Sequence, residues 1–157
     1  MNRLPKKNAI LLLTAFLILF SFFSALPASA EYDGSPGINA KIYLDDVPIF
    51  FVHPPQNING RIMVEGERIA SALQMELKTL DHGQTLLFTR RNAKAQFTAG
   101  SNQAILNGVS LLLEVTPYIT NGSNYVPLRE LAEACGAFVR WDEKNKSISI
   151  VSNETTV

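Results

Sequence analysis

The sequence predicts an α+β fold: two tandem copies of an antiparallel β-sheet unit, each packed on one short helix. Three observations predict it. A shift of 62 positions lays Lys41–Thr89 over Gln103–Val151 without a gap, as duplication of one supersecondary unit would. Within each copy, most segments alternate apolar and polar residues, the period of half-buried strands. One segment per copy instead spaces its apolar residues by three and four, the period of a helix. Many strands with one helix per copy place the chain in the α+β class.

The repeat rests on identities and on matched residue class. Leu44 meets Leu106, Val47 meets Val109, and Pro55 meets Pro117. Asn59-Gly60 meets Asn121-Gly122, Val64 meets Val126, and Ala70 and Ala72 meet Ala132 and Ala134. Apolar class holds at Ile49/Leu111, Ile69/Leu131, Leu77/Val139, Leu86/Ile148 and Phe88/Ile150.

The elements follow in order. Arg3, Lys6 and Lys7 precede an apolar run from Ala9 to Phe23, which ends in ALPASA. This layout predicts a secretory signal peptide over residues 1–30, cleaved after Ala30; the run is short of the about 20 residues a spanning helix needs. Residues 31–40 form a short linker and residues 152–157 a tail. The domain between them, 41–151, contains the repeats 41–89 and 103–151. Each repeat opens with a hairpin, KIYLDDVPIFF or AILNGVSLLLEV, turning at Asp45-Asp46 or Asn107-Gly108. A proline-containing loop follows, PPQNING or TPYITNG, then a short strand and a helix over Glu65–Met75 or Pro127–Cys135. Two strands close each copy, ELKTL and TLLFTR, then AFVRW and SISIV. KAQFT, Lys94–Thr98, is a strand joining the copies.

The second helix is the best specified. Pro127 suits the first helical position, where a missing N–H costs nothing. Leu128, Leu131, Ala132 and Cys135 make its buried stripe, and Gly136 suits the left-handed position after its last turn. Arg129 and Glu133, four apart, can pair on the exposed side. In the strands beyond, Val139 and Trp141 alternate with Phe138 and Arg140, which points Trp141 inward.

The stretch YVPLRELAEACGAFVRWDEKNKSISI resembles the recurring core of the copper amine oxidase N-terminal-like domain, the stalk domain. Asn121-Gly122, Val126-Pro127-Leu128-Arg129, Ala132-Glu133-Ala134, Gly136-Ala137, Val139 and Trp141-Asp142 meet its pattern. The first copy departs from it: Val64-Glu65-Gly66-Glu67 stands in place of V-P-L-R, and Thr79-Leu80 in place of W-D. The resemblance covers about Lys41 to Val151. It implies sheets of about five strands wrapped against a helix, in a secreted or envelope-attached protein of Gram-positive bacteria, often with no catalytic domain attached.

The residues argue against catalysis. The oxidase site that the family name refers to needs three histidines and a tyrosine-derived quinone, whereas this chain holds two histidines, His53 and His82. Both read as loop residues, and their repeat counterparts, Val115 and Lys144, echo no metal site. The Asn124-Tyr125 step of the quinone precursor is here a strand end. Cys135, the only cysteine, reads as a core thiol. Glu130 and Glu133 read as surface charge; the other use of such a pair is hydrolysis of a wall polysaccharide. Asn121-Gly122-Ser123 is turn chemistry and not a phosphate loop. No metal or cofactor is expected.

Loss of Arg3, Lys6 and Lys7 leaves 11 basic against 14 acidic residues, a net charge of −3. A mildly acidic domain lacks the clustered cations that nucleic acid requires. The expectation is an exported, non-catalytic stalk-like module for binding or display at the cell envelope, secreted or wall-associated. Its partner is a cell-wall component or another envelope protein, and it meets the membrane only through the signal peptide. The alternative is a secreted adaptor or inhibitor acting on another protein. Tyr118, Asn121 and Arg129 are candidate binding-surface residues. Tyr32 and Tyr125 are further aromatic candidates for stacking on sugar, with Tyr125 directed to the core.

Overall fold

The computed structural model describes residues 37–38 and 40–153. The predicted signal peptide, its cleavage site, Tyr32 and most of the tail lie outside the described residues. Copy one opens with β1 (Lys41–Leu44) and β2 (Val47–Ile49), which turn at Asp45-Asp46. Both aspartates have positive φ, 47° and 66°, the two-residue turn whose twist matches a hairpin. A second hairpin, β3 (Gln56–Ile58) and β4 (Arg61–Glu65), turns at Asn59-Gly60. It leads into α1 (Gly66–Ala72). A third, β5 (Glu76–Leu80) and β6 (Thr85–Arg90), closes the copy. Strand β7 (Ala93–Thr98) bridges to copy two.

Copy two repeats the plan. Hairpin β8 (Gln103–Leu106) and β9 (Val109–Leu112) is followed by β10 (Tyr118–Thr120) and β11 (Ser123–Pro127). Then come α2 (Leu128–Ala134), β12 (Phe138–Asp142) and β13 (Ser147–Val151). Strands β3 and β10 fall where the sequence predicts loop. Each is three residues long, too short to show an alternation. Both helices are shorter than expected: Glu65 and Pro127 end strands, and the helices stop at Ala72 and Ala134. Pro127 is not the first helical residue. It ends β11 with extended backbone, φ −69° and ψ 119°, and caps α2.

The repeats are not two separate units in tandem. Every sheet is built from both copies. One has the order β12-β13-β1-β2, the middle one β10-β11-β4-β3, and the third β5-β6-β7-β8-β9. Strands β1 and β13 run parallel, with Lys41 facing Ser147 and Leu44 facing Ile150. The antiparallel expectation therefore fails at this junction. In the third sheet the corresponding strands, β6 and β8, are separated by β7, which pairs antiparallel with both. The copies are related by a pseudo-two-fold axis through the middle sheet. Local turns obey it, and so do loop anchors: Ile38 N–H donates to Pro55 O and Gly100 N–H to Pro117 O, both at 2.8 Å.

A single apolar core lies between the sheets and the helices. Val64 and Val126 from β4 and β11, Ile69 and Leu73 from copy one, and Leu128 and Leu131 from α2 are all buried in it. Phe88 and Phe97 meet edge to face there, 5.9 Å apart. The opposite face of the middle sheet holds a small second cluster of Met63, Val115, Tyr118 and Tyr125. Among the described residues no helix is long and apolar enough to cross a membrane.

Candidate functional site

Strand β12 is an edge strand, and its parity sends Val139 and Trp141 to the same side. Val139 packs on the core. Trp141 does not: it is 48% exposed. The correction has a simple cause. Alternation gives the side of a strand, but nothing covers that side as far along as Trp141. Instead Trp141 borders a cleft of about 320 Å³ between β12, the start of α2 and the β3–β4 turn. Buried Leu128 and Ile148 lie at its base. Arg61, Arg129, Arg140 and Glu130 complete the lining that carries charge.

Each polar group there is held differently. The Arg129 guanidinium donates to the Val139 carbonyl at 3.1 Å and to Glu133 at 3.3 Å. It thus ties the helix to β12 through a backbone carbonyl. Arg61 reaches away to form a two-pronged pair with Glu114. The Trp141 indole N–H donates to Glu143. Asp142 turns back to accept the N–H groups of Lys144 and Asn145 at 2.9 and 3.0 Å. These bonds, those of Asn145 foremost, hold its carboxyl below the ordinary value. Asp142 therefore shapes the DEKNK turn that carries Glu143. Glu130 is the exception: its Oε2 is buried and has no hydrogen-bond partner.

The other sequence candidates scatter. Tyr118 is not a surface residue; it is 7% exposed and stacks on Tyr125 at 5.0 Å with the rings nearly parallel. Both rings cover the outer face of the middle sheet, where the pairing of β10 with β11 sets them side by side. Asn121 is exposed in the β10–β11 turn with φ 50°. Gly136 has φ 78°, the left-handed position expected. Val126 and Leu128 are core residues. His82 lies in the exposed turn Asp81–Gly83. Cys135 sits half-buried in a second depression, its Sγ 3.2 Å from Met75 Sδ. Burial pushes its thiol up, against a smaller opposing effect of Arg90, which is the reverse of what a nucleophile needs.

One constellation escaped the sequence reading. Glu65 is 2% exposed on the outer face of the middle sheet. Its carboxylate accepts the Val52 N–H at 2.7 Å, His53 Nδ1 at 2.7 Å and Ser123 Oγ at 3.1 Å. Burial alone would raise the carboxyl, but these bonds together outweigh it and hold the group below its ordinary value. Ser, His and Glu side by side suggest a hydrolase triad, but the geometry differs from one. Both Glu65 and Ser123 address the same ring nitrogen, Nδ1, whereas a triad places the acid and the nucleophile on opposite nitrogens. The cluster instead pins the Phe51–Pro55 loop, helped by the Tyr125 hydroxyl, which donates to Pro54 O at 3.3 Å. The repeat held the signal: a glutamate stands at the strand position that Pro127 occupies in copy two.

Among the described residues no three His, Cys, Asp or Glu side chains gather as a metal site would require. The copper amine oxidase N-terminal domain family matches the chain over residues 43–150. That domain is an accessory, non-catalytic part of copper amine oxidases. No curated protein matches the chain.

Proposed function

Because the chain belongs to the copper amine oxidase N-terminal domain family, we propose that it is a non-catalytic binding module, exported and displayed at the cell envelope. The cleft beside Trp141 carries this reading. It offers an exposed aromatic ring and cationic groups over an apolar base, with a single carboxylate and neither a thiol nor a histidine. That is a lining for holding a ligand. Export rests on the basic, apolar and A-x-A segments of residues 1–30.

Polysaccharide hydrolysis by Glu130 and Glu133 is the weaker reading. Two carboxylates must flank the scissile bond; Glu133 is paired with Arg129 and takes no part in the cleft lining. The adaptor reading draws on β9, an edge strand with Val109, Leu111 and Leu112 exposed and no charge. Such an edge accepts a strand from another protein.

Fractionation of producing cells tests the proposal. Protein beginning at Glu31 is expected in the wall fraction or the medium, and purified protein should co-sediment with isolated wall sacculi without releasing fragments. Intact protein beginning at Met1 in membranes, or steady release of wall fragments abolished by Glu130→Gln with Glu133→Gln, would overturn it.

A further inference from the structure

Building on the binding-module reading, we propose that the Trp141 cleft is a saccharide site selective for sugars that carry a carboxylate. The first argument is the repeat. Trp141 corresponds to Thr79 in copy one, also exposed. The scaffold therefore holds this strand position with a small polar residue and has no packing need for an indole. The sole tryptophan of the chain nevertheless sits there with about half its surface in water. Its N–H, which points outward from the ring edge, is engaged by Glu143, so the bond orients the indole from its edge. A flat, fixed and wet aromatic face beside an apolar base suits the C–H face of a pyranose ring.

The second argument is the Glu130 oxygen. A buried acceptor without a donor is costly, and Glu130 lines the cleft. A sugar hydroxyl is a donor of the right kind once the half-buried side chain turns this oxygen, closed to water here, toward the cleft. The third argument is charge. Arg61, Arg129 and Arg140 line the cleft against one carboxylate, in a chain that is net acidic without residues 1–30. The counterparts of Arg61 and Arg129 in the other copy are Ser123 and Glu67, so the cationic bias is not a property of the repeat. Arg61 spends Nε and Nη2 on Glu114, so its guanidinium keeps Nη1 donors for a ligand carboxylate. At about 320 Å³ the cleft lies near the lower end of small-molecule sites, about 300–1,000 Å³. It admits a ring or two of a longer chain.

Trp141 fluorescence reports the site directly, since no other indole contributes. The protein without residues 1–30 is titrated with an oligogalacturonate, with a neutral chito-oligosaccharide of equal length and with poly-glutamate. A saturable spectral change is expected with the oligogalacturonate, with affinity about tenfold or more above the neutral sugar. Calorimetry on Trp141→Thr, which installs the copy-one residue, should show binding weakened by about tenfold or more while circular dichroism stays native. Arg61→Gln should erase the preference for the acidic sugar while circular dichroism stays native. Equal binding of poly-glutamate, equal binding by Trp141→Thr, or no saturable change with either sugar would overturn the assignment.

Sacculi separate this proposal from the wider one. Wild-type and Trp141→Thr protein co-sedimenting equally would sink the cleft and spare the envelope module. Sugar binding without co-sedimentation would do the reverse. Release from sacculi by free oligogalacturonate would identify wall-attached polysaccharide as the source, and retention only by soluble acidic polysaccharide would identify a secreted one.

Discussion

Val64 lies directly opposite Val126, its own counterpart in the sequence repeat. The pairs on either side, Glu65 with Tyr125 and Met63 with Pro127, exchange when the copies are swapped. The pseudo-two-fold axis thus passes through the valine pair, and both valines are fully buried.

Truncating either valine removes equivalent packing from one shared core. Val64→Ala and Val126→Ala should each cost about 2 kcal/mol. As contacting residues they should depart from additivity in the double variant, by about 0.5 kcal/mol or more. Urea unfolding followed by circular dichroism should show one transition in every case. Two transitions would mean that the copies fold separately.

The helix ends make a paired test of backbone conformation. Both helices stop with the same two bonds, Gln74 N–H to Ser71 O and Met75 N–H to Ala70 O in copy one, Gly136 N–H to Glu133 O and Ala137 N–H to Ala132 O in copy two. The left-handed position holds Gln74 at φ 54° and Gly136 at φ 78°. Gly136→Ala should therefore destabilise by about 1 kcal/mol, although a Cβ there meets no atom within 4 Å. Gln74→Gly should stabilise by up to about 1 kcal/mol. Thermal melts of the two variants should shift in opposite directions.

Burial separates two residues that the sequence directs inward alike. Leu131 is completely buried, and Leu131→Ala should cost about 2–5 kcal/mol. Trp141→Ala should fall short of the about 3–5 kcal/mol of a buried aromatic, because the ring is half in water. Urea midpoints should place Leu131→Ala well below Trp141→Ala.

Glu65 makes stability depend on acid. Its folded carboxyl lies below its unfolded value, near 4.5, because the donors of His53, Val52 and Ser123 outweigh burial. The stabilisation is complete above that value and is lost as pH falls through the lower, folded one. Glu65→Gln should cost about 1–3 kcal/mol at pH 7 and flatten the fall in stability between about pH 5 and pH 3. Urea midpoints across that range, compared with wild type, measure the difference.

Local chemistry was legible in the residues; long-range pairing was not. Asn107-Gly108 and Asn121-Gly122 announce their turns because only a few residue types accept positive φ at both centres. Leu128, Leu131 and Ala132 announce a helix face through their spacing alone. The parallel junction of β1 with β13 has no such signature, since the pairing joins residues over a hundred positions apart. The exposure of Trp141 was hidden for a related reason: whether a strand face is covered depends on where other elements end. Glu65, His53 and Ser123 converge from three segments, and only the mismatch of Glu65 with Pro127 pointed to them.

The β1–β13 junction also has a mechanical consequence. The chain enters β1 at Lys41 and leaves β13 at Val151, at opposite ends of a parallel pair. Tension applied through the flanking segments draws the two strands past each other along their length. Their hydrogen bonds are then loaded together, in shear, and none can be peeled open ahead of the rest. Resistance to such pulling is set by the unfolding rate and not by the equilibrium stability. A module held at one end and drawn at the other would bear its load across this one pair of strands.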